Sequence, residues 1–117
     1  MKLFFKTLFL LCLSYTAIAQ PIISFSNTGT TTITEGTDCS FQDIVLDVVI
    51  SMPATDDAVV NFNSSGTATG GGVDYDIIPA SVTFLAGSTT TQQVTVRVYN
   101  DGEIEATESI QLDFNVL

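Results

Sequence analysis

The stretch QVTVRVY, Gln93 to Tyr99, alternates apolar and polar side chains without a break. Val94, Val96 and Val98 fall on one side, and Thr95, Arg97 and Tyr99 on the other. A β-strand points successive side chains to opposite faces, so its pattern repeats every two residues, whereas a helix repeats after about 3.6. The same short period runs through most of the chain. DIVLDVVIS aligns Ile44, Leu46, Val48 and Ile50, and SIQLDFNVL aligns Ile110, Leu112, Phe114 and Val116. VVNFN offers Val60 and Phe62, and SVTFL offers Val82 and Phe84. Strands with one apolar and one polar face build antiparallel sheets that bury a single side. No helical period competes, and the Val, Ile, Thr and Phe that dominate these runs are β-prone.

Turn chemistry separates the runs: SMPATDDA (51–58), the glycine-rich SSGTATGGGVDYDIIPA (64–80), AGSTT (86–90) and NDG (100–102). Near the start, IISF and TTTIT read as one strand broken in two. The prediction is six short strands and no helix, hence an all-β, immunoglobulin-like antiparallel β-sandwich whose two inner faces form the core. A sandwich of this kind has about seven strands. The sequence reaches Leu117 inside a strand pattern. The expectation is therefore a sandwich without its last strand, the N-terminal piece of a longer protein.

Residues 1–19 have the organisation of a secretory signal peptide. Lys2 and Lys6 precede the apolar run LFLLCLSYTAIA, which is too short to span a bilayer and ends in the small-x-small pattern Ala17-Ile18-Ala19. The mature domain is then 20–117, with no transmembrane segment, and the protein is expected to be secreted or held at the cell surface. Removing the leader takes away two of the three cations. Residues 20–117 keep Arg97 against all 13 acids, a net charge of 1 − 13 = −12. Such a surface has nothing with which to neutralise phosphates, which excludes nucleic acid as a partner. It also repels itself unless cations bind it.

Residues 20–117 contain no His and no Lys, so the usual general base and the Schiff-base nucleophile are missing. There is no Trp to stack a sugar. The chain is not expected to be an enzyme. One cysteine, Cys39, follows the leader, so no disulfide framework exists. Cys39 reads as a small buried residue at the start of a strand, with a thiol partner elsewhere as the alternative.

The most acidic stretch is NDGEIEATES, which holds Asp101, Glu103, Glu105 and Glu108 within ten residues. Calcium takes about 6–8 oxygen ligands from carboxylates, carbonyls and water. Loops at one end of a sandwich could supply them together: Glu35 after the first strand, and Asp74 and Asp76 in the glycine-rich connection. The spacing is not that of an EF-hand loop. On the residues alone, the acidic turn reads either as a solvated hairpin or as part of a cation site.

From Gly66-Thr67-Ala68 onward the sequence resembles a Calx-β domain, the sodium–calcium exchanger-type β-sandwich module. Asp74-Tyr75, the Thr83-Phe84 strand, the Gly87 turn, the alternation Val94 to Tyr99, the acidic turn Asn100-Asp101 and the pair Glu105 and Glu108 follow in the family's order and spacing. Glu35-Gly36 resembles its early turn. The resemblance implies a calcium-binding module that rigidifies a longer exported protein, with neighbouring β-domains as partners. It places ligands at Glu35, Asp74, Asp101, Glu105 and Glu108. Asn100 and Gly102 stand where the strongest binders carry aspartates, which thins the cluster. The other reading within the resemblance is a metal-free structural or adhesive spacer. In it the Tyr75 ring packs in the core and the Asp74 carboxylate caps the glycine-rich loop.

Overall fold

In the computed structural model, residues 19–34, 38–100 and 106–117 are described. They form seven strands: β1 Ile23–Phe25, β2 Phe41–Ile50, β3 Ala58–Gly66, β4 Tyr75–Ile78, β5 Ser81–Phe84, β6 Gln92–Tyr99 and β7 Ile110–Val116. One sheet has the order β1-β2-β6-β4 and the other β5-β3-β7, with every neighbouring pair antiparallel. This is the all-β, immunoglobulin-like sandwich that the alternation predicts. No helix among the described residues is long and apolar enough to cross a membrane.

The alternation sets the layers. In β6, Val94 and Val96 are buried while Gln93 is exposed. In β2, Val48 and Ile50 face the same way, and the register Leu46↔Val94 and Ile44↔Val96 puts apolar residues opposite one another. Val60 and Phe62 of β3 and Val82 and Phe84 of β5 close the core from the other sheet. Each such burial is worth about 1.5–3 kcal/mol. Phe25 of the first sheet bridges to the second. Its ring centroid lies 6.3 Å from that of Phe62 and 5.2 Å from that of Phe114, edge-on to the latter.

Three details differ from the sequence reading. The stretch 64–80 is not a plain connection: it holds the end of β3 and the whole of β4. Glycines around a four-residue strand hid the alternation of Tyr75 and Ile77. The TTTIT segment, read as part of the first strand, lies in no strand. Its β-prone residues have no neighbouring strand to pair with among the described residues. Cys39, read as buried, is exposed. β2 begins two residues later, and its first three residues are exposed as well; Phe41 and Asp43 lie on the sheet's outer face, against Arg97.

Candidate functional site

The sequence places the acidic positions where β4 begins and β6 ends. Asp74 sits at the entry to β4, half-buried. Its N–H donates to the Thr69 carbonyl at 2.9 Å, and its own carbonyl accepts the Tyr99 N–H at 2.8 Å. Its Oδ2 accepts the Thr69 N–H at 2.5 Å. The carboxylate thus closes the glycine-rich turn 69–74 from its far end, reaching back to the N–H where the turn begins. The next residue, Tyr75, is buried, and its hydroxyl donates to Ser64 Oγ at 2.8 Å. Gly70 lies against that ring, where an added Cβ would stand 3.2 Å from the ring carbon Cζ.

Asn100 continues the inward register of Val94, Val96 and Val98 and is only 5% exposed, the one buried polar residue among those described. Its N–H donates to the Ser40 carbonyl at 2.9 Å, and its Nδ2 donates to Ser40 Oγ at 2.8 Å. Ser40 Oγ donates in turn to Asp38 Oδ1 at 3.0 Å. The single hydroxyl hydrogen of Ser40 is spent on that carboxylate, so the hydroxyl can only accept from Asn100. This fixes the orientation of the amide and leaves Oδ1 facing away from Ser40. That buried oxygen has no hydrogen-bond partner. An unmet buried acceptor costs about 1–3 kcal/mol, so the position calls for a donor or a cation. In sequence terms Asn100 looked like a lost ligand. The period-two register of Val94, Val96 and Val98 was the signal that it faces inward.

The exit of the acidic turn is tied to β3. The Ser109 carbonyl accepts the N–H groups of Thr67 and Ala68 at 3.0 and 3.2 Å, and the Ser109 N–H donates to Thr67 Oγ1 at 2.9 Å. Glu108, just before it, is exposed and borders the same groove as Asp74. Of the five expected ligands, then, Asp74 and Glu108 share one groove. Glu35, Asp101 and Glu105 lie outside the described residues. Among the described residues no group of three or more acids, cysteines or histidines stands together as a metal cluster.

The one cation of residues 20–117 lies on the outer face of the first sheet. Arg97 makes two hydrogen bonds to Asp43 across the β2–β6 pair, 2.7 Å from Nε to Oδ1 and 2.8 Å from Nη2 to Oδ2, with its guanidinium 4.0 Å over the Phe41 ring. The hydrogen bond from Arg97 holds the Asp43 carboxyl below its ordinary value of 3.8. With Arg97 engaged there, the acids at the end of the sandwich have no other cationic side chain in 20–117 to offset them. On the same face, Tyr99 donates its hydroxyl to Asp76 Oδ2 at 3.0 Å, which raises the phenol above its ordinary value of 10.0. A raised phenol favours the folded state at pH below 10, and that contribution fades as pH rises through the folded value. Tyr99 is expected to ionise later than a free phenol in an absorbance titration differenced against Tyr99→Phe, and Asp76→Asn is expected to bring it back toward the ordinary value.

The arrangement offers oxygen donors at one end of a rigid sandwich and no nucleophile–base pair among the described residues. No curated protein and no solved structure matches the chain. The family model of the Calx-beta domain, a structural and binding module found within larger proteins, matches residues 18–116. Together with the sandwich, this match settles the kinship: the chain belongs to the Calx-beta domain family.

Proposed function

We propose that this domain holds calcium at the end of the sandwich where β6 meets the acidic turn, and so stiffens a longer exported protein. The observation that carries the reading is the buried, unpartnered Oδ1 of Asn100. It belongs to a chain segment of net charge −12 whose one cation is engaged elsewhere. Asn100 would give a neutral oxygen, with carboxylates from Asp101, Glu105, Glu35, Asp74 and Glu108. Calcium suits such a set, because it accepts carboxylate, amide and carbonyl oxygens in flexible geometry. When bound it would neutralise clustered acids and tie loops together, stabilising the folded state by mass action. Residues 1–19 would direct export, and neighbouring β-domains would be its partners.

A metal-free spacer is the second reading, and Asp74 favours it. Its Oδ2 already caps the 69–74 turn, as expected of a purely structural carboxylate.

Thermal unfolding in calcium and in chelator, with magnesium as control, separates the two. Calcium at about a hundredfold over its dissociation constant adds about 2.7 kcal/mol, and about 4–8 °C accompanies each kcal/mol in a domain this small. Asn100→Asp sharpens the test. In chelator it is expected to lower the midpoint, because a buried carboxylate replaces an amide. In calcium it is expected to give a larger gain than the natural chain. A midpoint equally indifferent to calcium in both proteins would leave the spacer reading standing.

A further inference from the structure

Ser40 and Asp38 are not among the residues expected to bind calcium, yet they decide what Asn100 can offer. The β2–β6 register ends at Phe41↔Tyr99, so one step further Ser40 stands opposite Asn100. Even-numbered residues of both strands, such as Val48 and Val94, are the buried ones. The two-residue period therefore brings the Ser40 and Asn100 side chains to the same face. Main chain and side chain both hold the pair. The Asn100 N–H donates to the Ser40 carbonyl at 2.9 Å, and Asn100 Nδ2 donates to Ser40 Oγ at 2.8 Å.

An amide side chain has two ends of similar size and opposite chemistry, an NH2 that only donates and an oxygen that only accepts. A half-turn about its last torsion exchanges them, and shape alone hardly opposes the turn. What opposes it here is the placing of one hydrogen. The Asp38 carboxylate takes the hydroxyl hydrogen of Ser40 at 3.0 Å, which leaves Ser40 Oγ only lone pairs for Asn100. A turned amide would set its oxygen against those lone pairs. It would also put N–H groups where the buried, unpartnered Oδ1 now stands. An amide turned that way presents hydrogens to a cation and repels it. A carboxylate at the same position presents an oxygen in either orientation.

We propose that Ser40, its hydroxyl hydrogen drawn off by Asp38, is the positioning residue that aims Asn100 Oδ1 at the cation. The Asp38–Ser40 pair is then what lets an amide serve as a ligand where a carboxylate needs no aiming. The proposal rests on the calcium reading above and adds two residues that act through Asn100.

The test compares calcium calorimetry of the natural chain, Ser40→Ala, Asn100→Asp and the double variant. Ser40→Ala is expected to weaken calcium binding by about five- to tenfold, because the amide loses the acceptor that holds it. In the Asn100→Asp background the same change should stay within about twofold. Ser40→Thr keeps the hydroxyl and should bind as the natural chain does. A second readout needs no calcium. In chelator, the Nδ2 protons of Asn100 should show a nuclear Overhauser contact to the Ser40 β protons. They should exchange with solvent about tenfold more slowly than in Ser40→Ala. Equal weakening by Ser40→Ala in both backgrounds would show a merely structural role and overturn this proposal alone. So would Nδ2 exchange indifferent to Ser40→Ala, or a Ser40→Thr protein that binds as weakly as Ser40→Ala. No calcium binding by the natural chain would overturn the calcium reading and this proposal with it.

Discussion

Gly66→Ala is expected to destabilise the domain by about 3 kcal/mol or more in a urea titration. Gly66 has φ +132°, a conformation that side-chain-bearing residues avoid. Space is the harder constraint. A Cβ there would stand 2.0 Å from the Ser109 carbonyl oxygen and 2.8 Å from its carbon. Ser109 cannot step aside cheaply, because that carbonyl accepts the N–H groups of Thr67 and Ala68. Relieving the clash means opening the β3–β7 pair at its Gly66↔Ile110 end, beside Glu108. Gly29→Ala is the control: nothing lies within 4 Å of its Cβ position, so its effect should stay within about 0.5 kcal/mol. A Gly66→Ala protein as stable as the natural one would show that the turn is not held as described.

Phe84→Ala is expected to cost about 3–5 kcal/mol. Phe84 is 1% exposed and the largest fully buried side chain, packed with Val48, Val60 and Val94 where β5 faces β6. Removing the ring leaves a cavity lined by β-branched residues on strands, which cannot collapse far. Small domains are stable by about 5–15 kcal/mol, so the loss is about a fifth of the total or more. Val45→Ala should change little, since Val45 is half-exposed on the outer face. Denaturant midpoints of the three proteins decide the matter, and equal midpoints for Phe84→Ala and Val45→Ala would contradict the core described.

The layers were legible because a strand's faces are written at a spacing of two. Val94, Val96, Val48 and Ile50 are buried where the alternation puts them. β4 was not legible, because four residues among glycines and a proline give too few repeats, and its existence depends on pairing with β6. TTTIT misled for the converse reason: propensity without a neighbour makes no strand. In the candidate site, the capping role of Asp74 and the core position of Tyr75 were readable from Asp-Tyr after a glycine run. The chain Asn100–Ser40–Asp38 was not, since its members are 60 and 2 residues apart and only the fold joins them. Nor could sequence alone tell whether Asn100 had lost a ligand or kept one. The answer depends on which way a buried amide is turned by its neighbour.

Calcium titration of the protein by isothermal calorimetry tests the proposed function most directly. The account expects saturable binding at or below millimolar calcium, absent with magnesium, lost in Asp101→Ala and Glu105→Ala, weakened in Asn100→Leu and unchanged in Asp56→Ala, which lies in a different turn. No binding by the natural chain at millimolar calcium, or binding that survives all three site substitutions, would contradict it.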